Sequence, residues 1–174
     1  MPLSVDPVRV RGVWYRHVPH RGKVWWRADP PPSGRWQRGS VIAGLYLADS
    51  RDTAWAEWYR QLAELGLRPE RQLPRDLWRL RVDLGRVADL SGRRRLSSVG
   101  LSPPRPTRRE WPAFQAVGER LYAEGWRGIL APSAARPAPG RILCLFREER
   151  TIEGVKPVPP PAIYRHPPAP PADA

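Results

Sequence analysis

Residues 44–66 read GLYLADSRDTAWAEWYRQLAELG, and this stretch decides the class of fold. Its first six residues predict a short strand, which runs directly into a helix from about Arg51 to Gly66. Asp49 or Ser50 is placed to cap the free amide groups at the start of this helix, and Gly66 is a natural stop. A strand that passes straight into a helix predicts a domain that mixes both kinds of element.

The predicted helix is amphipathic, because at 100° per residue its apolar side chains gather on one side. That side carries Ala54, Trp55, Trp58, Tyr59, Leu62 and Leu65. The opposite side carries Glu57, Arg60, Gln61 and Glu64. The helix is therefore predicted to bury its tryptophans against the rest of the domain and to hold Glu57 on its polar side.

The other elements follow from the same periodicities. Alternating apolar and polar residues predict strands at residues 9–18, 77–84, 128–131 and 141–147. A second helix is predicted over residues 111–124, and irregular connections over residues 19–40, 91–110 and 132–140. Strands outnumber helices and do not alternate with them regularly, so the prediction is an α+β fold of mixed small sheets with flanking helices.

The chain length of 174 residues suits one domain, predicted over residues 1–150. Residues 151–174 form a Pro-rich segment, with eight prolines after residue 154. Such a composition predicts an extended or mobile C-terminal tail, either a plain terminus or a docking peptide.

The net charge of +13 is typical of nucleic-acid-binding proteins. However, the basic residues are 28 Arg and 2 Lys, a bias that GC-rich codons produce without any partner, and they are spread along the chain. A non-catalytic nucleic-acid-binding or scaffold module is therefore kept as an alternative. The single cysteine, Cys144, lies in an apolar run and is predicted to be a buried small side chain. With no membrane-spanning run and no secretion signal, the predicted location is the cytoplasm.

Several familiar sites are excluded by the sequence. It has no GxGxxG, GxxxxGK[ST] or GxSxG motif, and its three histidines have no metal-ligand spacing with Cys or carboxylates. An enzyme built from this chain is predicted to work without a metal. The candidate functional side chains are polar residues at the edges of elements: Arg35, Tyr46, Glu57 and Ser133. From position alone, each also fits a structural role as a surface, core, helix-face or turn residue.

Six short motifs occur in one order across residues 9–147. They are SGRWQ (33–37), LYLADS (45–50), TAWAE (53–57), FQAVGERL (114–121), WRGILAPSAAR (126–136) and LCLF (143–146). Together they resemble the RES family, the toxin half of Xre–RES toxin–antitoxin pairs. The chain departs from the family at Ser33 and Gln37, and KVWWRADPPP (23–32) replaces the Gly-rich segment before GRW. These departures affect the expected shape of the loop over the ligand more than the fold.

The resemblance implies an ADP-ribosyltransferase-like fold and NAD⁺ as substrate. It places Glu57 at the nicotinamide ribose, Arg35 on the pyrophosphate, Tyr46 against nicotinamide and Ser133 at the ribose or carboxamide. Trp36 and Arg136 lie in matching motifs and are included as NAD⁺-binding candidates. Trp36 is equally compatible with a structural role, and Gln115 is expected to brace the second helix against the loop.

The implied function is a toxin that cleaves the nicotinamide–ribose bond of NAD⁺, as a glycohydrolase or a phosphorylase, with no metal. A protein ADP-ribosyltransferase using the same site is the alternative. The implied partner is a cognate Xre-type antitoxin with a helix-turn-helix domain. The toxin would then contact DNA only indirectly, through that partner. Self-association as a homodimer is a further option.

Overall fold

A computed structural model of the chain describes residues 1–171. Six strands lie within these residues: β1 (Pro7–Pro19), β2 (Ala43–Ala48), β3 (Arg75–Asp89), β4 (Gly128–Pro132), β5 (Arg141–Arg147) and β6 (Val155–Tyr164). Three α-helices accompany them: α1 (Arg51–Leu65), α2 (Arg93–Ser98) and α3 (Trp111–Ala123). The α+β prediction is confirmed. Among the described residues, no helix has the length and apolar character needed to cross a membrane.

Strand β3 organises the sheet, because its 15 residues are long enough to pair with three other strands. One edge pairs antiparallel with nearly all of β1. The other edge pairs with β6 over residues 75–82 and, in parallel, with β4 over residues 87–89. Strand β5 joins β4 to β2, and a contact between Tyr15 and Ala48 joins β2 to β1. The strands β1, β2, β5, β4 and β3 therefore form a closed circuit, with β6 added at the edge of β3.

The core has separate parts on the two faces of the sheet, and β5 shows the division. Leu143 and Leu145 pack with apolar residues of β1, β2 and β3 inside the circuit. The alternate residues, Cys144 and Phe146, face the opposite way and pack with α3. Burial raises the pKa of the Cys144 thiol to about 12, so this side chain is an uncharged part of the core.

Helix α1 packs through the face that its periodicity predicts. Trp55, Trp58 and Leu62 are buried there, whereas Leu65, in the last turn, is exposed. Ser50 is the N-cap residue and accepts a hydrogen bond from the amide of Thr53. Gly66 ends the helix with a φ of 65°, a conformation that favours glycine.

The clearest difference from the sequence prediction lies after residue 150. The expected extended segment is present, but residues 155–164 are paired with β3 as strand β6. Prolines lack an amide donor and are tolerated at a sheet edge, where one side of the strand needs no partner. Tyr164, the last residue of β6, packs on Trp55, and beyond the strand the carbonyl of Pro168 accepts a hydrogen bond from the Tyr59 hydroxyl. This part of the chain therefore lies along α1. Residues 172–174 of the predicted tail lie outside the described residues.

His17 of β1 lies in the interface with α1 as a neutral side chain. Its ring stacks on Trp55 with centroids 5.4 Å apart, and its Nδ1 accepts a hydrogen bond from Nε of Arg75 at 3.1 Å. Burial, together with the positive charges of Arg75 and Arg16, lowers the pKa of His17 to about 3. In the unfolded chain the pKa of this histidine returns to about 6.5.

The difference between the pKa values of His17 in the folded and unfolded chains predicts that the folded protein loses stability in acid. Between about pH 6.5 and 3 the unfolded chain binds one proton more than the folded chain at His17, so stability falls as the pH falls. The expected contribution approaches about 1.4 kcal/mol per pH unit. His17→Gln keeps an acceptor for Arg75 and should flatten the decline, as measured by urea unfolding at pH 7, 6, 5 and 4. The exposed His166→Gln variant should decline like the wild type. Parallel curves for wild type and His17→Gln would contradict this assignment.

Candidate functional site

Glu57 lies on α1, outside the helix face that carries the buried tryptophans. Trp55 and Trp58 are 3% and 2% exposed, and their burial sets the rotation of the helix about its axis. The Glu57 side chain is 21% exposed and reaches the segment that follows β4. The helix thus holds this carboxylate at a contact between two elements.

The Glu57 carboxylate is held at both oxygens. Its Oε1 accepts hydrogen bonds from the Ser133 hydroxyl at 2.6 Å, from the amide of Ala134 at 3.0 Å and from the amide of Ala135 at 3.3 Å. Its Oε2 accepts a hydrogen bond from Nε of Arg60 at 2.8 Å. Because an ionised carboxylate offers about four acceptor positions, Oε2 keeps room for one more donor.

The segment after β4 is shaped to meet this carboxylate. The Ser133 hydroxyl also accepts from the amides of Ala135, at 3.1 Å, and Arg136, at 2.9 Å, which closes a tight turn. The Arg136 guanidinium donates to the Thr53 hydroxyl at 3.2 Å, which ties the turn to the start of α1. A Cβ at Gly140 would lie 2.6 Å from the carbonyl oxygen of Arg136. The chain therefore needs glycine at this position to pass so close to Arg136 before β5 begins.

Arg60 connects Glu57 to a second carboxylate on the same helix. Besides Glu57, three residues away, it pairs with Glu64, four residues away. Glu64 also pairs with Arg108 at 3.2 Å. The spacings of three and four residues place these side chains on neighbouring turns of one helix face. The result is a row of alternating charges beginning at Glu57.

Arg35 lies near this row but comes from the loop before β2. Arg35 is 8% exposed, and its Cζ atom lies 5.2 Å from the centre of the Phe114 ring. Its Nη2 donates to the carbonyl of Arg105 at 2.7 Å. Its Nη1 is buried and finds no hydrogen-bond partner among the described residues; the nearest paired carboxylate oxygen, on Glu110, is 3.8 Å away. One buried donor of a charged group is therefore available.

The pKa of Arg35 shows which charges surround it. Burial lowers this pKa, and so does the positive charge of Arg60. The negative charges of Glu57, Glu110 and Glu64 act in the opposite direction. Arg35 is thus electrostatically coupled to Glu57, although the two residues lie on different elements.

Tyr46 of β2 anchors the loop that carries Arg35. Its hydroxyl accepts a hydrogen bond from the amide of Trp36 at 3.0 Å and donates to Oε1 of Gln37 at 2.8 Å. Burial raises the pKa of this hydroxyl well above its ordinary value. A Cβ at Gly34 would lie 2.3 Å from the hydroxyl oxygen, so the loop approaches Tyr46 as only glycine allows. Both hydrogen bonds of the hydroxyl are internal.

Tyr46→Phe is therefore expected to lower the free energy of unfolding. It leaves the Trp36 amide and the Gln37 oxygen buried without their partner, a loss of about 1–3 kcal/mol. Urea unfolding followed by tryptophan fluorescence measures it. Tyr122→Phe removes a hydroxyl that meets Glu148 at the surface and should cost about 0.5 kcal/mol or less. Equal stability of Tyr46→Phe and wild type would contradict the anchoring role.

The structure brings together the predicted site residues in two groups. Glu57 and Ser133 are in direct contact, and Arg136 secures the turn beside them. Arg35 and Tyr46 meet through the loop at residues 33–37. The inclusion of Trp36 among NAD⁺-contacting residues needs correction: it is fully buried with its ring edge-on to Phe114, and so offers no free ring face to a ligand. Gln115 braces the loop as predicted, since its Nε2 donates to the carbonyl of Gly34 at 2.8 Å.

Sequence reasoning did not assign functions to Arg60, Glu64 and Glu110. The spacing of Glu57, Arg60 and Glu64 was a usable signal, because it matches the spacing of helical ion pairs. Glu110 comes near Arg35 only through the packing of α3, and no local pattern indicates that contact.

Comparisons with known proteins identify the family to which the chain belongs. The model of the RES domain family matches residues 6–166. A probable NAD(+) phosphorylase of Mycobacterium tuberculosis is 29% identical over 137 residues, which cover 78% of this chain and 65% of that protein. The chain thus spans less than two thirds of that relative's length.

A solved structure provides the comparison of folds. The crystal structure of the M. tuberculosis MbcT–MbcA toxin–antitoxin complex contains a chain that matches with a TM-score of 0.73 and 23% identity, over 88% of this chain and 84% of that one. The two chains share a fold, in agreement with the predicted α+β class.

Proposed function

The chain belongs to the RES domain family, and from this membership we propose that it cleaves the nicotinamide–ribose bond of NAD⁺ as the toxin of a toxin–antitoxin system. The observation that carries the proposal is the Glu57 carboxylate, held by the turn after β4 and coupled in charge to Arg35. The name of the mycobacterial relative, a probable NAD(+) phosphorylase, supports the same substrate.

The proposed reaction develops positive charge on the ribose. Nicotinamide departs with the electron pair of the bond that links its ring nitrogen to the sugar, and the sugar carbon becomes cationic. Glu57 lowers the energy of this transition state, because a fixed, partly buried negative charge attracts the developing positive charge more strongly than water does. Ser133 and the amides of Ala134 and Ala135 hold Oε1, and we assign the remaining acceptor position on Oε2 to a ribose hydroxyl.

The buried guanidinium of Arg35 is assigned to the pyrophosphate. A phosphate oxygen can accept a hydrogen bond from the unpartnered Nη1. Its negative charge can balance the part of the Arg35 charge that the nearby Glu110 carboxylate, 3.8 Å away, leaves uncompensated. Tyr46 holds the loop in place through its hydroxyl, and Arg136 ties the turn after β4 to α1. On this proposal Tyr46 and Arg136 position the site.

The acceptor completes the reaction in one of two ways. An oxygen of inorganic phosphate forms the new bond to the sugar carbon, or water does so and releases a proton. The relative's name favours phosphate. Transfer to a protein side chain is an outcome that the experiment below separates from both.

We further propose that a cognate antitoxin binds the toxin. The similarity of fold to a chain of a toxin–antitoxin complex supports such a partner, and the net charge of +13 favours an acidic surface on it. An Xre-type antitoxin with a helix-turn-helix domain would bring the toxin to DNA indirectly, and self-association as a homodimer belongs to the same proposal. We place the toxin in the cytoplasm, where its single buried thiol needs no disulfide partner.

We assign the catalytic groups to residues 1–150. The segment from residue 151 then supports them, because β6 extends the sheet and the residues after it lie along α1.

The test is to incubate the purified chain with NAD⁺, with and without inorganic phosphate, and to follow free nicotinamide and the sugar products by chromatography. Release that requires phosphate and yields a phosphorylated ADP-ribose supports the phosphorylase. Release with free ADP-ribose in both conditions supports a glycohydrolase. Labelled protein would indicate ADP-ribosyl transfer, and intact NAD⁺ in every condition would leave the non-catalytic alternative.

A further inference from the structure

Four arginines gather at the end of β5 that is remote from Glu57. The start of β5 pairs with Pro132, next to Ser133, whereas Arg147 lies six residues further along the strand, a distance of about 20 Å. Arg147 also follows Leu143 and Leu145 in the alternation of β5 and so shares their face of the sheet, opposite to Cys144. Arg16, Arg27 and Arg150 accompany it.

None of these four arginines has an acidic partner in the described part of the chain. Arg147 is 2% exposed, and its guanidinium donates to the carbonyls of Trp25, Glu149 and Arg150. Within residues 1–171, no carboxylate lies within 4.0 Å of any of the four guanidiniums. A buried charge without a counter-charge is costly, and an anion bound beside it would relieve that cost.

The mutual effect of the arginines agrees with this description. Burial lowers the pKa of Arg147, and the charges of Arg27 and Arg150 lower it further. Burial and the charge of Arg147 likewise lower the pKa of Arg16, to about 10. The cluster is therefore a concentration of uncompensated positive charge.

Tryptophan rings adjoin the same charges. A cleft of about 270 Å³ is lined by Trp25, Trp26, Arg27, Arg147 and Arg150. Trp26 is 58% exposed, although most of the tryptophans are buried or half-buried. Trp25 is half-buried, with the Arg147 guanidinium 5.9 Å from its ring centre. Both tryptophans belong to the KVWWRADPPP segment, which was expected to affect the loop over the NAD⁺ ligand. None of the proposed NAD⁺-site residues lines the cleft that these tryptophans form.

We propose that this cleft binds a nucleotide, with its phosphate between Arg27 and Arg150 and its base on the exposed ring of Trp26. A nucleotide supplies the negative charge and the flat ring in one molecule small enough for the cleft. An acidic peptide would satisfy the arginines but leave the Trp26 ring without a matching partner. This site lies apart from the proposed NAD⁺ site and is independent of the proposed reaction.

The experiment titrates the full chain with adenosine monophosphate in a calorimeter. Trp26→Ala keeps the backbone carbonyl that binds Arg16, and it should weaken the affinity at least about fivefold, the lower limit for loss of one base–aromatic stack. Trp26→Phe keeps a ring and should recover most of the affinity. Arg27→Gln should weaken binding about tenfold or more through loss of a charged hydrogen bond. Arg94→Gln removes the same charge from an exposed position on α2 and should change little.

Further measurements separate this site from the one around Glu57. Arg35→Gln should leave this binding event intact, and Trp26→Ala should leave NAD⁺ cleavage unchanged. The proposal is overturned by the absence of saturable binding, by equal affinities for wild type and Trp26→Ala, or by an affinity that Arg35→Gln abolishes. It is also overturned if a glutamate-rich peptide binds the full chain as tightly as the nucleotide and loses affinity in Arg27→Gln but not in Arg94→Gln, because the cleft would then be a site for an acidic peptide.

Discussion

Glu57→Gln is expected to lower kcat for NAD⁺ cleavage about 100- to 1,000-fold, the loss that follows removal of one fixed electrostatic group from a transition state. Glutamine has nearly the same shape, and its oxygen can still accept from Ser133 and the amides of Ala134 and Ala135. What disappears is the negative charge that we assign to stabilising the ribose. KM should change less than kcat, because the charge on the sugar is largest in the transition state.

Glu64→Gln is the matched control for this prediction. It makes the same chemical change on the same helix and removes the other carboxylate bound by Arg60, yet Glu64 has no contact with the turn after β4 in the described structure. Its effect on kcat should stay below about tenfold, the size of one weak interaction of about 1.4 kcal/mol. Circular dichroism should confirm that both variants are folded. Wild-type turnover by Glu57→Gln, or equal losses in the two variants, would refute the assignment of Glu57.

The fold shows where sequence periodicity is sufficient and where it is not. Helix α1 is predicted well because the side chains that bury it, Trp55, Trp58 and Leu62, repeat along the helix itself. Strand β6 could not be predicted, because its prolines argue against a strand and only the free edge of β3 makes pairing possible. That edge is a property of the assembled sheet. The extension of β3 to Asp89 depends in the same way on pairing with β1 and β4.

The candidate site also has residues that the sequence predicts and features that appear only in the folded chain. The order of motifs singled out Glu57 and Ser133, although 76 residues separate them, because the family resemblance contains long-range information that periodicity lacks. The burial of Trp36 was not predictable from its motif. It depends on Gly118 of α3, where a Cβ would lie 1.9 Å from the Trp36 carbonyl oxygen, so that the helix can approach the loop only through glycine. The free donor of Arg35 likewise appears only when Phe114, Arg105 and Glu110 are placed around it.

Arg35→Gln is expected to raise the Kd for NAD⁺ about 10- to 100-fold, which corresponds to the loss of about 1.5–3 kcal/mol from hydrogen bonds to a charged group. The reason is the Nη1 donor, which is buried without a partner in the described structure and held near its position by the bond from Nη2 to Arg105. Arg35→Lys should recover only part of the affinity, because an ammonium group keeps the charge but lacks the planar guanidinium geometry that lets one nitrogen donate to the Arg105 carbonyl while the other donates to a phosphate. The measurement is calorimetric titration of NAD⁺ in the Glu57→Gln background, where turnover does not interfere.

Arg105→Gln provides the control for charge. Its guanidinium side chain is 78% exposed and pairs with Glu110, the same carboxylate that lies beside Arg35. The variant therefore removes an equal charge from the same neighbourhood but leaves the buried Arg35 guanidinium in place. Its Kd for NAD⁺ should stay within about threefold of the parent value, as expected for a surface change of about 0.5 kcal/mol. If Arg35→Gln and Arg105→Gln weakened binding to the same extent, the effect would be general electrostatic attraction. If Arg35→Gln left the Kd unchanged while the protein stayed folded, the pyrophosphate would have to lie elsewhere, because Nη1 of Arg35, a guanidinium donor that is buried without a partner in the described structure, would then play no part in holding it.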